Sequence, residues 1–187
     1  MSERVCPWWI GYFLVSPLRR AFQNPAQILA RYVRDGMTVL EPGPGMGFFT
    51  LDLARLVGPS GRVMAVDVQS RMLNALRRRA TKAGLAERVT TRLTQSGSLS
   101  VGDLAGQADF VLAFAVVHEL PSALIFFGEA AASLRPGGAL LLAEPAGHVS
   151  AEAFEDELRV AAVAGLTPRE RPSIRSCRTA LLVKAGG

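Results

Sequence analysis

The densest ligand-binding chemistry in the sequence is one acid and three glycines at alternate positions, Glu41-x-Gly43-x-Gly45-x-Gly47. They follow the short apolar, β-branched run Met37–Glu41 and precede a helical stretch that reaches Val57. Glycines between a strand and a helix let backbone N–H groups approach a ligand closely, at the positive end of the helix dipole. Alone, such a loop also serves as a plain turn. Asp67 strengthens the ligand reading, because it closes the next strand, Arg62–Asp67. In a doubly wound sheet that position lies beside the glycine loop, where a carboxylate accepts both hydroxyls of a ribose. Asp67 can equally serve the start of the helix after Gln69, and the two roles are compatible.

A second group of reactive side chains follows the fourth strand, in Phe114-Ala115-Val116-Val117-His118-Glu119. His118 is the candidate general base, since imidazole titrates near pH 6.5 and this position falls at the carboxyl edge of the sheet. The alternative is a helix-start histidine that only shapes a pocket. Glu119 suits the N-terminus of the next helix electrostatically. Glu144, a second catalytic candidate, and His148 come after the fifth strand on the same edge. Two cysteines, Cys6 and Cys177, are too few for a disulfide scaffold or an all-cysteine metal centre, and no metal site is expected. Cys177 is expected in the turn of a closing hairpin.

These residues need a scaffold, and its pattern is regular. Strands are expected at Met37–Glu41, Arg62–Asp67, Arg88–Leu93, Ala108–Phe114 and Ala139–Ala143, with helices at Gln69–Ala83, Ser122–Leu134 and Ala151–Ala164. Two last strands, Thr167–Ile174 and Arg178–Lys184, are too close for a crossover helix and form an antiparallel hairpin. Alternating strands and helices with near-continuous apolar strands imply a mostly parallel sheet covered on both faces. With 187 residues the chain is about one domain long, and 49% hydrophobic with 20% charged residues excludes disorder. The net charge of +5 favours anionic partners. The arginines, however, are scattered in short runs such as Arg77-Arg78-Arg79 without interleaved aromatics, which fits a solvated face better than a nucleic-acid track.

VLEPGPGMGFFT (Val39–Thr50), VMAVDVQ (Val63–Gln69), DFVLAFAVVHEL (Asp109–Leu120) and LRPGGALLLAEP (Leu134–Pro145) together resemble the class I S-adenosylmethionine-dependent methyltransferases, most closely the small enzymes near the quinone-biosynthesis and arsenite methyltransferases. The resemblance runs from about Asp35 to Lys184. It implies a Rossmann-like, doubly wound α/β fold with a seven-stranded sheet, order 3-2-1-4-5-7-6, the last strand antiparallel. It also implies S-adenosylmethionine as cofactor and S-adenosylhomocysteine as product. Glu41, Gly43, Gly45 and Gly47 would surround the methionine moiety, Asp67 the ribose, and Val68 and Gln69 the adenine, with Phe114 a further contact. Many members carry Gly-Asp after the third strand; here the stretch is Thr94-Gln95-Ser96-Gly97, so Gln95 or Ser96 could accept from the adenine amine, or form a plain polar turn. The fourth strand ends without the Asn/Asp-Pro-Pro-aromatic signature or a Pro-Cys nucleophile, which argues against nucleobase methylation.

The expected domain plan is an aromatic helical lid over residues 1–34 and a methyltransferase domain over 35–187. Trp8, Trp9, Tyr12, Phe13 and Phe22 could pack on the core, close over a pocket or touch a membrane surface. Trp8–Val15 is too short to span a bilayer, and no signal-peptide cleavage pattern follows. A cytoplasmic enzyme acting on a small apolar or amphipathic acceptor is expected, with a homo-oligomer compatible. The alternatives are an NAD-dependent Rossmann oxidoreductase and a non-catalytic cofactor-binding or membrane-associated module.

Overall fold

The computed structural model describes residues 23–186. The tryptophans and other aromatics of the expected lid up to Phe22 lie outside the described residues. Among the described residues one seven-stranded sheet forms, in the order β3-β2-β1-β4-β5-β7-β6. That is the order implied by the family resemblance. The chain divides into two compact units, residues 1–94 and 95–187.

In the first unit, helix α1 (Pro25–Leu29) begins where Asn24 Oδ1 accepts from the Ala26 and Gln27 amides and Pro25 fills the first turn. Strand β1 (Thr38–Pro42) pairs in parallel with β2 (Arg62–Asp67), with Glu41 opposite Ala65, and β2 pairs in parallel with β3 (Val89–Leu93). Val39, Leu40, Val63 and Ala65 are fully buried. Helix α2 (Thr50–Leu56) starts later than the glycine loop, because residues 45–49 form turns. Helix α3 (Ser70–Lys82) buries Met72, Leu73, Ala75, Leu76 and Ala80, the spacing of one helical face.

In the second unit, β4 (Ala108–Phe114) pairs in parallel with β5 (Leu134–Pro145), and β7 (Cys177–Lys184) runs antiparallel to both β5 and β6 (Leu166–Glu170). Helices α4 (Ala123–Ser133) and α5 (Ala151–Val163) each start at a serine whose hydroxyl accepts an amide of the first turn, Ser122 from Ile125 and Ser150 from Ala153. Phe110, Leu112, Phe127, Leu134, Leu140–Leu142 and Leu182 form the core.

Three expectations need correction. Strand β5 begins at Leu134, not Ala139: Leu134 pairs with Ala108 before the register shifts and Ala139 meets Phe110. Strand β6 ends at Glu170, because Pro172 next removes a backbone donor and the register has already slipped after Pro168. Cys177 is not in the turn; it opens β7 opposite Pro145.

Candidate functional site

The first unit presents the glycine loop at the carboxyl end of β1. Gly43, Gly45 and Gly47 all adopt left-handed backbone angles, with φ of 63°, 54° and 84°. Such angles suit glycine and few other residues. The Gly43 amide pins the loop to the sheet by donating to Val66 O at 2.9 Å, and the Gly47 amide closes the loop on itself by donating to Pro44 O at 2.9 Å. A Cβ on Gly45 would meet nothing within 4 Å, so this glycine opens onto empty space. Gly47 differs, for a Cβ there would collide with Leu76 Cδ1 of α3. Gly45 is therefore the residue of approach, while Gly47 is required for helix packing.

Glu41 is 3% exposed, and its Oε2 is buried without a hydrogen-bond partner. Burial pushes its carboxyl up from 4.5 to about 8; the nearby Thr50 hydroxyl opposes this and the charge of Asp67 adds to it. Asp67 is half-buried at the end of β2, and its Oδ1 accepts from the Gln69 amide at 2.8 Å. Of the two sequence readings of Asp67, this bond is the local one: it shapes the turn into α3. Val68 and Leu93, the latter opposite Asp67 in register, are 40% and 57% exposed apolar side chains at the ends of β2 and β3. Leu93 was not singled out from the sequence.

One residue of this unit escaped the sequence reading altogether. Arg79, in a run expected to be a solvated face, reaches from α3 and donates through Nη1 to the Met46 carbonyl of the glycine loop. Its neighbour Arg77 does stay at the surface, on Thr91 Oγ1 and Asn74 Oδ1. The missed signal is Arg79's place beside Ala80 and three residues after Leu76, on the edge of the buried stripe.

The second unit carries the other cluster. Beyond β4 the chain takes a left-handed step at Ala115 (φ 54°), whose amide donates to Ala143 O at 2.8 Å. This turns the next two amides inward, so that Val116 N and Val117 N both donate to Glu144 Oε1, at 3.2 and 2.9 Å. Two successive amides aimed at one anion form a nest. Glu144 Oε2 is hydrogen-bonded to His118 Nδ1. Glu144 is fully buried and lies within β5 rather than after it. The Glu144 hydrogen bond raises the His118 pKa above its ordinary 6.5, partial burial opposes the rise, and the charges of Glu144, Glu119 and Glu157 add to it.

His118 lies in a 3-10 turn, Val117–Glu119, so Glu119 does not sit in the first turn of α4 as expected. It lies instead 4.0 Å from His118 Nε2. His148 is exposed, with its ring centroid 5.6 Å from that of His118. Glu157 of α5 is the member that sequence reasoning missed. Its Oε2 is buried without a hydrogen-bond partner, and burial together with the Glu144 charge pushes its carboxyl up to about 7. Its spacing held a clue: Glu157 falls between Phe154 and Leu158, on the edge of the buried stripe of α5. Phe114 is half-buried at the end of β4, and Gln95 and Ser96 are exposed in the loop after β3. Among the described residues no group of His, Cys, Asp and Glu could hold a metal ion, and no helix is long and apolar enough to cross a membrane.

The sequence matches the methyltransferase domain family over residues 33–172. It is 33% identical to an arsenite methyltransferase of Halobacterium salinarum over 137 residues, 73% of this chain and 33% of that protein. It is 35% identical to a ubiquinone biosynthesis O-methyltransferase of Methylocella silvestris over 109 residues, 58% of this chain and 40% of that protein. The chain thus spans a third to two fifths of the length of these curated relatives. A solved S-adenosylmethionine-dependent methyltransferase from Aquifex aeolicus superposes with a TM-score of 0.84 at 26% identity, covering 96% of this chain and 99% of that one.

Proposed function

The chain belongs to the class I S-adenosylmethionine-dependent methyltransferases, and we propose that its first unit holds the cofactor through Glu41, the glycine loop and Asp67 while a small acceptor is methylated. The observation that carries this reading is the unpartnered, buried Glu41 Oε2 at the end of β1, followed by a loop whose Gly45 opens onto empty space. A buried carboxylate without a partner costs several kcal/mol, so it persists where a ligand compensates it. The cofactor's ammonium group is such a compensator, and its ribose is the natural partner of Asp67.

When bound, the cofactor supplies an electrophilic methyl on a sulfonium. The protein's part is positioning. Gly43 and Gly45 carry the loop's left-handed turns, Gly45 offers backbone at close approach, and Gly47 sets the loop against Leu76. Arg79 steadies the loop through Met46. Val68, Gln69 and Leu93 offer a partly apolar surface beyond Asp67 for a base ring. The family resemblance adds Gln95, Ser96 and Phe114 to the cofactor's contacts. An apolar or amphipathic acceptor is supported by Leu124 and Ile125, 56% and 49% exposed just after the His118 turn.

Calorimetry with S-adenosylhomocysteine and NAD tests the reading. One-to-one binding of S-adenosylhomocysteine with no heat from NAD is expected. Binding of NAD alone would return the protein to the oxidoreductases.

A further inference from the structure

The cofactor site proposed in the first unit uses neither His118 nor Glu144, yet these two are hydrogen-bonded to each other in the second. Glu144 is fully buried and both its oxygens are engaged, Oε1 by Val116 N and Val117 N and Oε2 by His118 Nδ1. It has no surface left for a substrate. What it does is hold an imidazole. A carboxylate there only accepts, so the Nδ1–H belongs to His118 and the lone pair of the neutral ring lies on Nε2. The His118 side chain is 19% exposed, and Nε2 is the ring nitrogen that Glu144 does not engage. The charged and titratable groups facing it are Glu119 on its own turn, Glu144 on β5, Glu157 on α5 and His148 on the loop after β5.

We propose that His118 is a general base held by Glu144 as its positioning residue, and that the acceptor is accordingly a neutral phenol- or enol-type hydroxyl. This rests on the methyltransferase reading and names the acceptor class for it. A thiolate or carboxylate is already ionised near neutral pH and needs no base. A neutral amine attacks first and sheds its proton afterwards. A hydroxyl must lose its proton as it attacks, and a phenolic one, with a pKa of about 10, is within reach of an imidazole where an aliphatic alcohol is not. The hydroxyl oxygen bonds to the methyl carbon, the carbon–sulfur bond breaks to leave the neutral thioether, and the proton passes to Nε2. The Glu144 hydrogen bond raises the His118 pKa, so the neutral base accumulates, and the rate rises, through a pH above 6.5.

The test has two arms on the full chain. Nitrogen-15 NMR of His118 needs no acceptor. It should show the Nδ1–H tautomer above the His118 pKa, and Glu144→Gln, whose amide donates towards Nδ1, should reverse it to Nε2–H and lower the pKa. An Nε2–H tautomer in the unaltered protein overturns the proposal. The second arm compares 2-naphthol with naphthalene-2-thiol at pH 8, where the thiol is already ionised. His118→Gln should lower the oxygen-to-sulfur rate ratio at least about 100-fold, the scale of general base catalysis. An unchanged ratio overturns the proposal, as does methylation of the thiol alone by the unaltered protein. Failure to bind S-adenosylhomocysteine would sink the methyltransferase reading instead, and leaves the NMR result standing.

Discussion

Glu41 and Glu144 are both buried carboxylates near the carboxyl ends of strands, 3% and 0% exposed, and the chain treats them in opposite ways. Glu144 is met by two amides and an imidazole. Glu41 keeps an unpartnered oxygen and is pushed up to about 8. A buried acid that is fully satisfied acts on its own protein, by fixing the groups that satisfy it. A buried acid left unsatisfied, as Glu41 and Glu157 both are at one oxygen, is pushed towards its neutral form. On this contrast Glu144 belongs to the framework around His118, while Glu41 is the acid we propose for the cofactor.

The largest expected effect falls on the open glycine. Gly45→Val places a branched side chain at φ 54° and in the empty space above the loop, so S-adenosylhomocysteine affinity should drop at least about 100-fold by calorimetry. Nothing stands within 4 Å of the new Cβ, so circular dichroism should still report a folded chain. Normal binding would show the loop to be only a turn.

The contrast between the two acids is sharpened by pH. Glu41 is raised in the fold, so the unfolded chain gives up this proton first. Its contribution to stability is therefore intact below about pH 4.5 and is lost progressively up to about pH 8. A tenfold difference in proton affinity between the folded and unfolded chain is worth about 1.4 kcal/mol, which makes the loss at most a few kcal/mol. Melting curves of the ligand-free protein should fall between pH 5.5 and pH 8, and Glu41→Gln should flatten that fall. Saturating cofactor should flatten it too, if an external cation completes the site. An identical pH dependence in Glu41→Gln would remove the contrast.

A smaller effect is expected at Arg79. Arg79→Ala releases Met46 O, and because that bond acts on the cofactor only through the loop, affinity should weaken about three- to tenfold, less than a charged hydrogen bond is worth, with kcat changed less than KM. An equal fall in both would mean that Arg79 supports more than the loop.

The halves of this comparison were not equally legible in the sequence. Glu41, the three glycines and Asp67 lie within two consecutive strand ends, so spacing along the chain already placed them together. Nearly every element was readable for a similar reason, since apolar runs and glycine stops are local signals, whereas the sheet order came from the family resemblance. The Glu144–His118 pair depends on the register between β4 and β5, which slips after Ala108, and on a left-handed alanine that no propensity announces. The two residues were each singled out; their joining was not. Arg79 and Glu157 were hidden for a different cause, each being a charged residue on the rim of a buried helical stripe that reads as surface until its helix is docked.

Asp67 gives the most direct test that the first unit holds the cofactor. Calorimetric titration of Asp67→Ala with S-adenosylhomocysteine should show at least a tenfold loss of affinity, since charge-assisted hydrogen bonds to the ribose contribute about 1.5–3 kcal/mol each. The circular dichroism spectrum should match the unaltered protein, because Asp67 is only half-buried and its bond to the Gln69 amide is local to one turn. Unchanged affinity in a folded Asp67→Ala protein would mean that the cofactor's ribose is not held at the end of β2.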